Sequence, residues 1–217
     1  MNIEQARFNM IEQQIRPWEV LDQDVLSLLS VVKREDFVPP ELRELAFVDT
    51  ELPLAQGQVM LAPKVEARLL QALHVARHER VLEVGAGSGH MAALLAHKAQ
   101  QVFSLEIRPA LAAMASANLR RAGISNATIR EGDGSSGLPG EAPFDVIMLS
   151  GSVAEVPQAL LDQLKLGGRL VAIVGHEPMM RAMLITRVTA AKVKREVLFD
   201  TVAPRLQGFA EPPPFRF

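Results

Sequence analysis

Over the first third of the chain, apolar residues recur at helical spacing. Residues 4–16 place Phe8, Ile11 and Ile15 on one face, and Pro17 ends the pattern. Asp22 or Asp24 can cap a second helix running through Val32. The stretch Lys33–Pro40 breaks it, and a short helix is expected near Glu41–Leu45. No period holds between Asp49 and Leu61. Pro63 then opens a helix to about Ala76, in the first-turn position where a missing N–H costs nothing. From Arg80 the pattern changes. Short apolar runs at 81–84, 102–106, 127–130, 145–150 and 169–174 alternate with helical stretches at 91–98, 109–122 and 157–165. This alternation predicts an α/β fold: a Rossmann-like, doubly wound, mostly parallel sheet with an N-terminal helical cover. Beyond Gly175, residues 182–190 and 196–202 read as consecutive strands, an antiparallel pair closing the C-terminal edge. No repeat or linker interrupts the chain, so residues 1–217 are read as a single domain. Within it, 1–79 are read as the helical cover and an unpatterned loop, 80–175 as the alternating α/β core, and 176–217 as the edge strands and an extended tail.

The run Val81-Leu82-Glu83-Val84-Gly85-Ala86-Gly87-Ser88-Gly89-His90 joins a buried strand to a helix through three alternating glycines. Glycine lets the backbone approach a ligand because no Cβ intervenes. A dinucleotide site would want glycine where His90 stands. The E-x-G-x-G-x-G form resembles instead the first motif of S-adenosylmethionine-dependent methyltransferases. Glu106 ends the next strand about 20 residues on, where a carboxylate can accept from both ribose hydroxyls. The alternative, less favoured, is that it caps the helix opening near Pro109. Asp133, in Gly132-Asp133-Gly134, is placed to bond an adenine amino group or to make an Asx turn. The expected cofactor set is Glu83, Gly85, Gly87, Ser88, Gly89, Glu106, Asp133 and Gly134, the expected ligand S-adenosylmethionine, and the rival ligand a nicotinamide dinucleotide.

Composition narrows the partners. A net charge of −2 and the lack of a basic run longer than Lys192–Arg195 give no electrostatic case for nucleic acid. Without cysteine there is no disulfide, thiolate nucleophile or cysteine-based metal site. No stretch is apolar enough to span a membrane, and Met1–Gln5 has neither a basic nor an apolar leader pattern, so the cytoplasm is the expected setting. His74, His78, His90, His97 and His176 show no repeating ligand spacing, and no metal site is expected. His74 and His78 read as residues of a surface helix, and His90 as packing behind the glycine turn. His176 is read as a solvated loop residue or as facing the substrate mouth. Met179, Met180 and Met183 read as packing residues.

Distributed motifs then bring a resemblance into view. Met10–Ile15 is similar to the opening helix of the protein-L-isoaspartate O-methyltransferases. Arg34-Glu35-Asp36-Phe37-Val38-Pro39 is close to that family's R-E-x-F-V-P, and Ala46–Asp49 with Leu52–Leu54 to its A-Y-x-D … L-P-I. Gly132–Gly134, Ala142–Asp145 and Gly167–Val171 match its G-D-G, A-P-F-D and G-G-x-L-V. The resemblance covers nearly the whole chain. It implies methyl transfer from S-adenosylmethionine to the carboxylate of isoaspartyl residues in damaged proteins, with such proteins or peptides as partners. Rival readings are a related methyltransferase with another substrate and a cofactor-binding protein that has lost catalysis.

One segment departs from the family. Where it reads G-Q-T-I-S-Q-P, this chain has Gly57-Gln58-Val59-Met60-Leu61-Ala62-Pro63, and its V-T-A-A becomes Leu149-Ser150-Gly151-Ser152. The resemblance implies that a serine hydroxyl holds the substrate where Leu61 stands. Gln58, Val59, Leu61 and Ser150 are therefore the expected acceptor-site residues, with Ser150 or Ser152 as a replacement donor.

Overall fold

The computed structural model describes residues 2–211. The Pro-rich tail expected to be extended therefore lies, beyond Glu211, outside the described residues. Among the described residues six α-helices, α1 (Ile3–Asn9), α2 (Gln23–Val31), α3 (Pro63–Leu73), α4 (His90–Lys98), α5 (Pro109–Arg121) and α6 (Gln158–Asp162), surround the sheet strands. These are β3 (Arg80–Val84), β4 (Gln101–Glu106), β5 (Ala127–Glu131), β6 (Phe144–Val153), β7 (Leu164–His176), β8 (Met179–Thr189) and β9 (Lys192–Asp200). They form one sheet in the order β5-β4-β3-β6-β7-β8-β9. Pairing is parallel from β5 to β7 and antiparallel for β7–β8 and β8–β9. The expected fold class stands, including the antiparallel edge.

Strand alternation divides the core. Val81, Val102, Val146, Met148, Val171 and Ile173 face α3, α4 and the N-terminal helices. Leu82, Val84, Phe103, Leu105, Ile147, Leu149, Leu170 and Ala172 face the other way, onto Leu160 and Leu161 of α6. Both faces of the central strands are thus covered, which is why they read as continuous apolar runs. Ion pairs close the amino ends of the strands. Arg169 pairs with Glu79 and donates to the carbonyls of Leu73 and His74, and Lys165 pairs with Asp145. The carboxyl ends remain open.

Several local expectations change. Residues 10–15 form a wider π-helical segment, so Arg7, Met10, Ile11 and Ile15 point inward and Phe8 is exposed. Helix α3 ends at Leu73 rather than Ala76, because His74 takes a left-handed conformation, so His74 and His78 do not share a helix. Helix α6 stops at Asp162, short of 165, because Leu164 already pairs with Phe144 in the sheet. Strand β8 starts at Met179, before Ala182, and alternation leaves Met179 exposed while Met180 is buried; packing explains only the latter. The unpatterned stretch 49–61 holds a small antiparallel ribbon, β1 (Leu52–Pro53) with β2 (Val59–Met60), too short to show a period.

The two-sided burial of β3 makes a testable distinction. Leu82→Ala empties a fully buried site and is expected to cost about 2–5 kcal/mol. Leu166→Ala, at a side chain 70% exposed, should stay within about 0.5 kcal/mol. Urea unfolding of both variants checks this; equal losses would be incompatible with the layer assignment.

Candidate active site

The strand order reverses at β3. Chain from β3 runs outward to β4 and β5 on one side, then crosses to β6 on the other. A crevice opens at this switch point, outside the strands' carboxyl ends, as in other open α/β sheets. Its walls include Gln58, Val59, Gly85, Gly87, Glu106, Gly132, Gly134 and Ser150. A smaller recess continues from it beneath the β2 ribbon, bounded by Val59, Leu61, Glu66, Glu83, Ser88 and Ser150.

The glycine turn is held from two sides. Gly85 has φ +93°, and a Cβ there would meet Leu206 at 2.7 Å. Gly89 has φ +84° and packs on the backbone of Ala115, so a side chain would force α4 and α5 apart. The Gly87 N–H donates to Glu106 Oε2 at 2.9 Å, and the Arg108 N–H donates to Oε1 at 3.1 Å. Glu106 thus ties β4 to the turn, and each oxygen keeps a lone pair for a further donor. Ser88 is buried, accepting at Oγ from the His90 N–H. Gly134 lies against Val84. Asp133 is exposed and accepts the Ser135 N–H in an Asx turn, beside Gly208, and is not among the crevice walls above.

Glu83 stands apart electrostatically. It points to the α3–α4 face, fully buried. Its oxygens accept from Ser104 Oγ at 2.6 Å and from Ser150 Oγ at 2.8 Å. The register explains the first bond, because Glu83 lies directly opposite Ser104 in the β3–β4 pair. Hydroxyls cannot neutralise a carboxylate. Burial therefore pushes the group up to about 8, partly offset by the two serines and reinforced by Glu66 and Glu106.

The remaining expected residues fall as follows. Val59 lines both the crevice and its recess and is half-buried, and Gln58 sits beside it at the mouth. Leu61 is buried and belongs to the main core while also bounding the recess. Ser152 is not a crevice donor; its Oγ donates to the Ala203 carbonyl. His90 packs against Phe37 edge-on, with ring centroids 5.3 Å apart. His176, at the end of β7, accepts from Arg205. Among the described residues no group of three or more His, Cys, Asp or Glu could hold a metal.

Two parts of the site had no usable signal in the sequence. Leu206 and Gln207, past the last strand, close the crevice across the glycine turn. Ser152 anchors that segment through backbone bonds with Pro204 and Leu206. Ser104 was legible only as an apolar-strand residue, since its role depends on the β3–β4 register.

A family model described as protein-L-isoaspartate(D-aspartate) O-methyltransferase matches residues 5–205. The chain belongs to this family. It is 40% identical over 194 residues to the protein-L-isoaspartate O-methyltransferase of Koribacter versatilis, covering 89% of this chain and 87% of that one. The Methanoculleus marisnigri protein of the same name is 44% identical over 169 residues, covering 78% and 77%. A crystal structure from Plasmodium falciparum, solved with S-adenosyl-L-homocysteine, shares the fold. Its TM-score is 0.80 at 22% identity, covering 94% of this chain and 97% of that one. As a family member the chain is an S-adenosylmethionine-dependent methyltransferase, which removes the dinucleotide alternative. Among the described residues no helix is long and apolar enough to cross a membrane.

Glu83 makes the apo enzyme pH-sensitive. The folded state keeps a proton that the unfolded chain releases in the ordinary carboxylate range. This contribution to stability is full below that range and is lost as pH rises through about 8. Glu83→Gln, neutral at all pH values, should flatten the loss. Unfolding free energies of both proteins from roughly pH 5 to 9 give the difference curve, and a parallel pair of curves would refute the assignment.

Proposed function

We propose that the chain methylates the carboxylate of isoaspartyl residues in damaged proteins, using S-adenosylmethionine held across the switch-point crevice. The observation that carries this reading is the family match over residues 5–205 together with a crevice built from its motif residues. The crevice fits the cofactor. Gly85 and Gly87 open the backbone, Glu106 has acceptor capacity for ribose hydroxyls, and Glu83 is a buried carboxyl without a cationic partner. When bound, the cofactor supplies a methyl group on a positively charged sulfur, an activated leaving group.

The protein's share of the work is positional. A substrate carboxylate is ionised at neutral pH and needs no general base. The site must hold its oxygen in line and keep water out, effects worth about 7–11 kcal/mol when geometry is good. In this reading Gln58, Val59, Leu61 and Ser150 surround the acceptor. Glu83, Gly85, Gly87, Ser88, Gly89, Glu106 and Gly134 serve the cofactor, and Asp133 faces the adenine from its Asx turn. Val59 presents two methyls where the family has a threonine hydroxyl. The product ester can close to a succinimide and reopen partly as normal aspartate. We assign the whole chain to one methyltransferase unit: residues 1–79 as cover and substrate loop, 80–175 as the cofactor core, and 176–217 as edge and tail. A cytoplasmic setting belongs to the same proposal.

A radiolabelled methyl-transfer assay with an isoaspartyl peptide and its aspartyl counterpart tests the activity. Base-labile label on the isoaspartyl peptide alone is expected. Tight cofactor binding with no transfer would instead favour another substrate or a lost activity. Within that assay, Val59→Thr should raise peptide methylation and leave cofactor affinity nearly unchanged. Leu61→Ser removes a buried core side chain and should lower stability by about 2–5 kcal/mol, as read by thermal melting. Absence of a gain from Val59→Thr would count against its place beside the acceptor.

A further inference from the structure

Beneath the substrate loop lies a buried charged group that the reaction as described does not use. Arg34 and Glu66 form an ion pair with side chains only 2% and 7% exposed. Arg34 uses its other terminal nitrogen to donate to the Leu61 carbonyl at 2.7 Å. The Glu66 oxygen that pairs with Arg34 also meets His90 Nδ1 at 3.1 Å. His90 Nε2 and Arg34 Nε are buried without partners. Burial pushes the Glu66 carboxyl up, but Arg34 and His90 outweigh it and hold it below the ordinary range, so it is ionised at neutral pH.

Three separate segments meet here: the short helix at Arg34–Asp36, the start of α3, and the first residue of α4. A buried ion pair is costly to desolvate, and apolar packing of the same volume is often as stable or more so. What apolar packing cannot supply is direction. The guanidinium fork fixes one main-chain carbonyl of the loop and one carboxylate at once. That carbonyl belongs to Leu61, on the recess wall, and the carboxylate continues to His90, which follows Gly89 of the glycine turn. The linkage therefore runs unbroken from the acceptor wall to the cofactor turn.

We propose that Arg34, Glu66 and His90 are positioning residues that fix the Val59–Leu61 wall against the glycine turn and so set the alignment of acceptor and methyl group. This rests on reading the crevice as the methyl-transfer site. The test compares wild-type enzyme with Arg34→Lys, which keeps the charge but cannot fork, and with His90→Leu and His90→Asn. The Asn amide can donate to Glu66 in place of Nδ1. Arg34→Lys and His90→Leu should lower kcat on the isoaspartyl peptide by about ten- to hundredfold, with the calorimetric affinity for S-adenosylmethionine within about twofold. His90→Asn should recover most of the loss. Hydrogen exchange of the amides of residues 58–61 should quicken in the impaired variants, a readout independent of any substrate. Unchanged kcat and exchange in folded variants would overturn the proposal, as would equal loss of cofactor affinity and kcat. If Arg34→Lys fails to fold, the His90 pair decides by whether Asn rescues what Leu loses. If wild type does not methylate the peptide, the functional reading fails, and the exchange data still judge the linkage.

Discussion

The parallel pairing of β3 with strands on both sides is the constraint from which the site follows. The connection leaving β3 runs to β4 on one side, and the connection leaving its neighbour β6 runs to β7 on the other. The loops at their carboxyl ends must therefore part, and a crevice results without any side chain being spent on it. The glycine turn and Glu106 then line the gap because they end β3 and β4, and Ser150 joins them inside β6, one residue past its last pairing with β3 and where the β6–β7 register shifts. The amino ends, where no such parting occurs, are closed by Arg169–Glu79 and Lys165–Asp145.

Charge is distributed in keeping with that geometry. Glu106 accepts backbone N–H groups from the turn and from Arg108, just before α5. Glu83, one strand away, has only hydroxyl donors and so resists ionisation in the folded chain. A positively charged ligand changes that balance, because it supplies the counter-charge the fold withholds. Glu66, by contrast, has its cation built in. Two carboxylates on one recess thus have opposite electrostatic states, set by whether a guanidinium reaches them.

The main sheet and the glycine turn were largely legible in the sequence. Short apolar runs located the strands, and spacing picked out the glycine turn, Glu83 and Glu106, because these depend on local backbone geometry. Local reading was weaker where the chain is short or irregular. The β1–β2 ribbon has two residues per strand, too few for any period. Ile11 and Ile15 stay inward, but the wider π-helical turn puts Arg7 rather than Phe8 on that face, since hydrophobic periodicity presumes a regular helix.

What the sequence by itself determined is the order of elements and the chemistry carried by short motifs, because both arise between residues a few positions apart. Only the tertiary structure decided that Ser104 faces Glu83, that Leu206 closes over Gly85, and that Arg34 joins Leu61 to Glu66. These pairs are separated by 21, 121, and 27 and 32 positions. Their meeting depends on strand register and on how the N-terminal cover docks. Both are selected by burial of the whole core, which no local window contains.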